Sequence, residues 1–175
     1  MPDPRGGPGV CEWQVERHMN GARRVSAGLL PFTRAAGDPR VFIAHFGGPL
    51  WAAKDAHAWS IVKGELDDDR DPRVSVAREW GEETGAPVPP GEWLDLGTIT
   101  QRGGKVVQAY AVEVVDPATV TFIASNQVSI EWPPRSGRYR LIPEVDRAQW
   151  CDHLTARQRL VVAQAEFIDR LEALP

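Results

Sequence analysis

Gly64-Glu65-Leu66-Asp67-Asp68-Asp69-Arg70-Asp71-Pro72-Arg73-Val74-Ser75-Val76-Ala77-Arg78-Glu79-Trp80-Gly81-Glu82-Glu83-Thr84-Gly85-Ala86 is the stretch around which the chain is organised. Asp71 suits a helix N-cap, and Pro72 suits the first helical position, where a missing N–H costs nothing. Gly85 suits the left-handed stop. The spacing predicts a helix over about Pro72–Thr84, with Val74, Val76, Ala77 and Trp80 as its apolar side. Gly81 weakens that helix by roughly 1 kcal/mol relative to alanine, and close approach of another segment is the structural reason that would favour it. Glu79, Glu82 and Glu83 stand at i, i+3 and i+4, on one helix face. Like charges so placed repel, and Arg78 is the only base in that part of the helix. A hard divalent cation bound through oxygen is the natural compensation. Gly64 allows a backbone carbonyl to approach the same ion, where a side chain would obstruct it. Arg78 can orient one glutamate or offset the repulsion.

Working outward, 175 residues suit one domain with a full core. A hydrophobic share of 42% and a charged share of 25% are those of a globular protein in water. A net charge of −4 argues against stable nucleic-acid binding through bulk charge. No run approaches the roughly 18 apolar residues of a membrane helix, and Met1–Gly9 has no apolar segment of the secretory kind. Cys11 and Cys151 read as two free thiols in a reducing compartment. The expectation is a cytoplasmic protein with no membrane association. Residues 1–22 read as a flexible arm and 23–175 as one domain.

Within that domain, Arg24–Thr33 and Val41–Phe46 read as strands joined in a hairpin across Gly37-Asp38-Pro39. Trp59-Ser60-Ile61-Val62 reads as a short strand delivering the chain to Lys63-Gly64. Trp93–Thr100 and Lys105–Val115 read as a second hairpin about Gly103-Gly104. Val120–Ile123, Tyr139–Ile142 and Ala148-Gln149-Trp150 read as short extended pieces, and Glu131–Gly137 as a rigid loop. A helix capped by Thr155 and running to Ala173, with Leu160, Val161, Gln164, Phe167, Ile168 and Leu171 as its stripe, closes the chain. The order is that of a mixed α/β domain.

At this point the sequence resembles the Nudix hydrolase box, Gly-x5-Glu-x7-Arg-Glu-U-x-Glu-Glu-x-Gly-U, with U a bulky apolar residue. Gly64, Arg78, Glu79, Trp80, Glu82, Glu83, Gly85 and Ala86 fall on its defined positions. The family's first glutamate is Arg70 here, flanked by Asp69 and Asp71. The resemblance implies an α/β/α sandwich with a mixed sheet. It also implies Mg²⁺- or Mn²⁺-dependent hydrolysis of a diphosphate linkage in a nucleoside diphosphate derivative, with dinucleoside polyphosphates or (d)NTPs as the leading substrates. The metal ligands would be Gly64, Glu79, Glu82 and Glu83. Arg70 motivates the alternative of a nucleotide-binding regulatory module with little turnover. Lys63-Gly64-Glu65 is similar to the Pro-Lys-Gly-Glu opening of members acting on dinucleoside polyphosphates or diphosphoinositol phosphates, with Val62 in place of the proline. Gly47-Gly48-Pro49, Trp59-Ser60-Ile61 and Glu131–Gly137 look like a bacterial group described as predicted NTP pyrophosphohydrolases.

Other residues are candidates for the rest of the chemistry. Glu131 can supply a carboxylate from outside the helix as ligand or general base, with Glu144 as its rival. Lys63 can hold a phosphate as a point charge, and Lys105 is a further phosphate contact. Arg135, Arg138 and Arg140 can clamp phosphates while Trp132 stacks on a base. Trp51 can line a base pocket, whereas Trp59 at a strand start belongs in the core. His45 and His57 are weaker phosphate or base candidates, because lone histidines are usually structural. The partner implied is a small nucleotide, and a homodimer is compatible with the chain.

Overall fold

A computed structural model describes residues 25–66 and 71–175. Arg70, its flanking Asp69, Cys11 and the N-terminal arm lie outside the described residues. Strand β1 (Val25–Thr33) and β2 (Arg40–Phe46) form the expected antiparallel hairpin, but they pair only at Phe32↔Val41 and Thr33↔Arg40. Beyond that point they diverge. The stretch read as one strand from Trp59 fills the wedge as two pieces, β3 (Trp59–Ser60) on β2 and β4 (Val62–Glu65) on β1. The break falls at Ile61, where the chain changes partner.

Helix α1 (Pro72–Thr84) follows, with the expected ends. The Asp71 carboxylate accepts from the Arg73 N–H at 2.9 Å, and Gly85 takes φ 68°. β5 (Trp93–Thr100) and β6 (Val106–Glu113) form the second hairpin, and β6 runs parallel to β1 from Val25↔Val106 to Phe32↔Glu113. After a 3-10 turn at Pro117–Thr119, β7 (Gln127–Glu131) and β8 (Tyr139–Pro143) form a separate two-stranded ribbon. β9 (Val145–Asp152) then pairs along β2. The expected strand at Val120–Ile123 is not a strand. Its backbone instead closes onto α1, with the Ile123 and Ala124 N–H groups donating to the Thr84 carbonyl.

The single terminal helix expected from Thr155 to Ala173 is broken into α2 (His153–Arg159), a 3-10 turn and α3 (Ala165–Glu172). The cap is Asp152, whose carboxylate accepts from the Thr155 N–H at 2.8 Å. The break has a tertiary cause. Leu160 leaves the helix at ψ 149° to bridge Trp59, and the Val161 N–H donates to the Trp59 carbonyl at 2.8 Å.

Strand alternation divides the core into two layers. Ala27, Leu29, Phe42, Ala44, Val62, Tyr110 and Val112 pack with Val76 and Trp80 of α1. Leu30, Phe32, Val41, Ile43, Val107 and Ala109 pack on the other face with Ala156, Leu160, Phe167, Ile168 and Leu171. The architecture is the α/β/α sandwich with a mixed sheet. Among the described residues, no helix is long and apolar enough to cross a membrane.

Candidate active site

The mouth of the wedge is a cleft of about 130 Å³, lined by Ala44, Phe46, Ser60, Ile61, Lys63, Glu83, Glu144 and Val145. α1 overlooks it with a face that differs from the one its apolar residues predict. The residues buried are Ser75, Val76, Glu79, Trp80 and Thr84, while Val74 and Ala77 point outward. The stripe therefore includes two glutamates. Glu79 is 9% exposed and Glu83, one turn on, is half-buried. Glu82 lies outside that stripe and is exposed. Gly81 has open space around a Cβ position among the described residues, so close approach does not account for it.

Gly64 shows why glycine precedes the acidic loop. A Cβ there would sit 1.7 Å from the Glu79 carboxyl carbon and 1.9 Å from Oε2. The backbone of β4 thus abuts the Glu79 carboxylate. Next to it, the Lys63 N–H donates to Glu83 Oε2 at 3.1 Å. Arg78 bridges the helix acids, at 2.7 Å from Glu79 Oε1 and 3.1 Å from Glu82 Oε2.

The electrostatics follow from enclosure. Burial raises the Glu83 carboxyl to about 8, against the lowering effect of Lys63, and the charges of Glu144 and Glu79 push the same way as burial. Burial also raises Glu79, opposed by Arg78 and reinforced by Glu82 and Glu144. Three carboxylates therefore sense one another, Glu83 and Glu144 on the cleft wall and Glu79 against the Gly64 backbone. Their oxygens, with a carbonyl-bearing backbone pressed against Glu79, are the donor set that suits a hard divalent ion. Among the described residues, no three His, Cys, Asp or Glu side chains are gathered into a metal-holding group as they stand. Glu82 is turned to Arg78 and Glu79 shares the same guanidinium.

The remaining candidates separate by position. Glu144 sits at the cleft, its N–H bonded to the Asn126 carbonyl and its own carbonyl to the Gly47 N–H. The structure does not bring Glu131 there. Its Oε1 accepts from the Gly137 N–H at 2.7 Å, within the turn joining β7 and β8. Trp132, Arg135, Arg138 and Arg140 belong to the same ribbon. Lys105 precedes β6 at the sheet end where β1 begins, with its carbonyl accepting from the Gln101 N–H. His45 is fully buried between Asp146 Oδ1 (2.7 Å) and the Lys54 carbonyl (2.8 Å), and His57 Nδ1 meets the Leu160 carbonyl. Trp59 is core, its indole N–H donating to Asp55. Trp51 stacks on Phe46, one of the cleft residues, and carries Lys54 over its ring.

One residue of this assembly has no signal in the sequence. Gln164, fully buried, reaches the strand break from the opposite helix layer. Its Oε1 accepts from the Ile61 N–H at 2.9 Å, and its amide bonds the Ser60 hydroxyl. It satisfies the backbone group that the change of strand partner leaves open.

Solved structures share this fold. The chain superposes on a C. elegans Ap4A hydrolase with TM-score 0.59 at 17% identity, covering 87% of this chain and 98% of that one. The NUDIX domain of Shewanella oneidensis NrtR, complexed with ADP ribose, gives TM-score 0.59 at 16% identity over 94% and 98%. MutT, from work on Aliivibrio salmonicida and Vibrio cholerae, gives 0.52 at 14% over 87% and 98%. At these identities the likeness is one of fold. A comparison with curated protein sequences found no match. The family model described as NUDIX domain matches residues 22–171. The chain belongs to the NUDIX domain family, and its class is that of the pyrophosphohydrolases acting on phosphorus-containing acid anhydrides.

Proposed function

We propose that this pyrophosphohydrolase cleaves a diphosphate linkage in a nucleoside diphosphate derivative, with Mg²⁺ or Mn²⁺ held by Glu79, Glu83 and the Gly64 carbonyl. Glu82, which pairs with Arg78 here, would be a further ligand. The observation that carries the reading is the close fit of the Gly64 backbone against Glu79, beside an enclosed Glu83 that shares its cleft with Glu144. A helix merely displaying acids to solvent requires no such glycine. The chemistry a divalent ion supplies in this setting is neutralisation of phosphate charge and a lower pKa for a bound water.

The chain's own groups do the rest. The Lys63 N–H fixes the orientation of Glu83, and its ammonium offers a point charge to a phosphate oxygen. The Glu144 carboxylate, outside the helix and on the cleft wall, takes the proton from the water that attacks phosphorus. Arg78 offsets the repulsion between Glu79 and Glu82. Two neighbours, an Ap4A hydrolase and a NUDIX domain complexed with ADP ribose, support a nucleotide as the substrate.

The test is a panel of nucleoside triphosphates, dinucleoside polyphosphates and nucleotide sugars assayed with Mg²⁺, Mn²⁺ and EDTA. Product should appear only with metal. Gly64→Ala should lower turnover by about a hundredfold, since its Cβ displaces the Glu79 carboxylate by an ångström or more. Stabilisation by nucleotide with no product from any substrate would instead identify a binding module.

A further inference from the structure

Pockets that enclose a whole small molecule run to about 300–1,000 Å³. The cleft here, about 130 Å³, holds the reacting anhydride and leaves the remainder of a nucleotide on the surface outside. The β7–β8 ribbon rises from its rim. At the base, Ile142 lies so close to Gly48 that a Cβ there would be 2.4 Å from its Cδ1, and Pro143 is packed on Gly47. From Gln127↔Pro143 to Glu131↔Tyr139 the ladder runs four residues, or about 13 Å.

Alternation divides the ribbon's residues between its two faces. Tyr139 and Leu141 share the outer face and are 70% and 69% exposed. Ile142, Arg140, Val128 and Ile130 share the other, the face that meets Gly48. The ladder continues through the Trp132 N–H to the Arg138 carbonyl at 2.8 Å, which puts Trp132 and Arg138 on that same side. From Trp132 to Arg140 the charged side chains are Arg135, Arg138 and Arg140. The turn is tied by its own bonds: Glu131 accepts from the Gly137 N–H, Ser136 Oγ from the Arg138 N–H, and the Pro133 carbonyl from the Ser136 N–H. Arg135 is held at φ 63°, a conformation uncommon for a non-glycine residue and often found at ligand clamps. Glu131 is thereby committed to shaping a basic, aromatic tip.

We propose that this ribbon binds a second phosphate of the substrate, attached on the far side of the ribose from the scissile anhydride, with the adjoining base stacked on Trp132. The ribbon selects phosphate-extended nucleotides over simple nucleoside triphosphates. A simple nucleoside triphosphate carries no phosphate beyond the ribose for these arginines to bind. Phosphate binding by arginine is charge-assisted, and each guanidinium can bind a phosphate bidentately. The proposal rests on the hydrolase reading for its catalytic arm only.

The experiment compares kcat/KM for ATP, for adenosine 3′-phosphate 5′-triphosphate and for the 5′-triphosphorylated dinucleotide pppApA. The wild type should favour an extended substrate over ATP by about tenfold or more, through KM. The Arg135→Ala/Arg138→Ala/Arg140→Ala variant should bring that ratio close to one. Preference for the 3′-phosphate alone identifies a monoester, and preference for pppApA alone a phosphodiester. A wild-type ratio near one, or a ratio the variant leaves intact, overturns the proposal. Calorimetric titration of wild type and variant with pppApA and with ATP, in the absence of metal, reads the same preference without turnover. If no anhydride is cleaved, the hydrolase reading fails and this titration decides the ribbon independently.

Discussion

The α1 cleft and the β7–β8 ribbon carry opposite charge and are built by opposite means. At the cleft, Glu79 and Glu83 stand one turn apart on α1 and Glu144 comes from a distant part of the chain; packing encloses the two helix acids and raises both. In the ribbon, Glu131, Ser136 and Gly137 are neighbours that shape one turn through local hydrogen bonds, and its arginines stand in solvent. A carboxylate is worth most to catalysis where water is excluded and other acids are near, because there its charge demands a counter-ion. An exposed arginine contributes through its reach. Acid chemistry and substrate selection are therefore separable in this molecule.

The sharpest way to break that separation is Glu83→Gln, which should lower anhydride hydrolysis by about a thousandfold. The same variant tests the electrostatics. A carboxyl raised from about 4.5 when unfolded to about 8 when folded binds more protons in the native state between those values, so stability falls as pH rises from 4.5 to 8. Without metal, melting temperature should decline across that window in the wild type and decline less in Glu83→Gln, which should be the more stable of the two at pH 8. Equal slopes would show that Glu83 is not held in its neutral form.

A smaller effect distinguishes the two carboxylates outside the helix. Glu144→Gln should cost about a hundredfold in kcat. Glu131→Gln should change hydrolysis of ATP by less than about threefold, because the lost contact is to one exposed turn. The reverse order would move the general base to the ribbon. Smallest in activity, and read best by denaturant titration, is Gln164→Leu. Leaving the Ile61 N–H unpaired in the interior, with the Ser60 hydroxyl keeping only its bond to the Ile61 carbonyl, should cost about 2 kcal/mol.

Much of this was legible in local sequence. Asp71, Pro72 and Gly85 set the ends of α1 because capping and left-handed stops are decided within a turn. The two hairpins followed from alternation and turn residues. The ribbon's first strand, Gln127–Glu131, alternates polar and apolar residues as a strand does, but the run is only five residues long and, on a sheet of two strands, none of it is buried. The terminal helix read as one piece because its apolar stripe continues through Leu160 and Val161. Only Trp59, far away in the sequence, draws those residues out of helical conformation. The helix acids were read as one face, yet packing turned Glu79 and Glu83 inward and left Glu82 with Arg78.

The sequence by itself determined which residues can bind a hard cation, where their helix begins and ends, and that a glycine must precede it, because these depend on side-chain chemistry and short-range backbone geometry. Tertiary structure alone decided which carboxylates share a cleft. Glu131 and Glu144 are chemically identical and only 13 residues apart. What separates them is the diverging pair β1 and β2, the wedge that opens between them, and the ribbon whose base lies at that wedge and whose tip lies away from it.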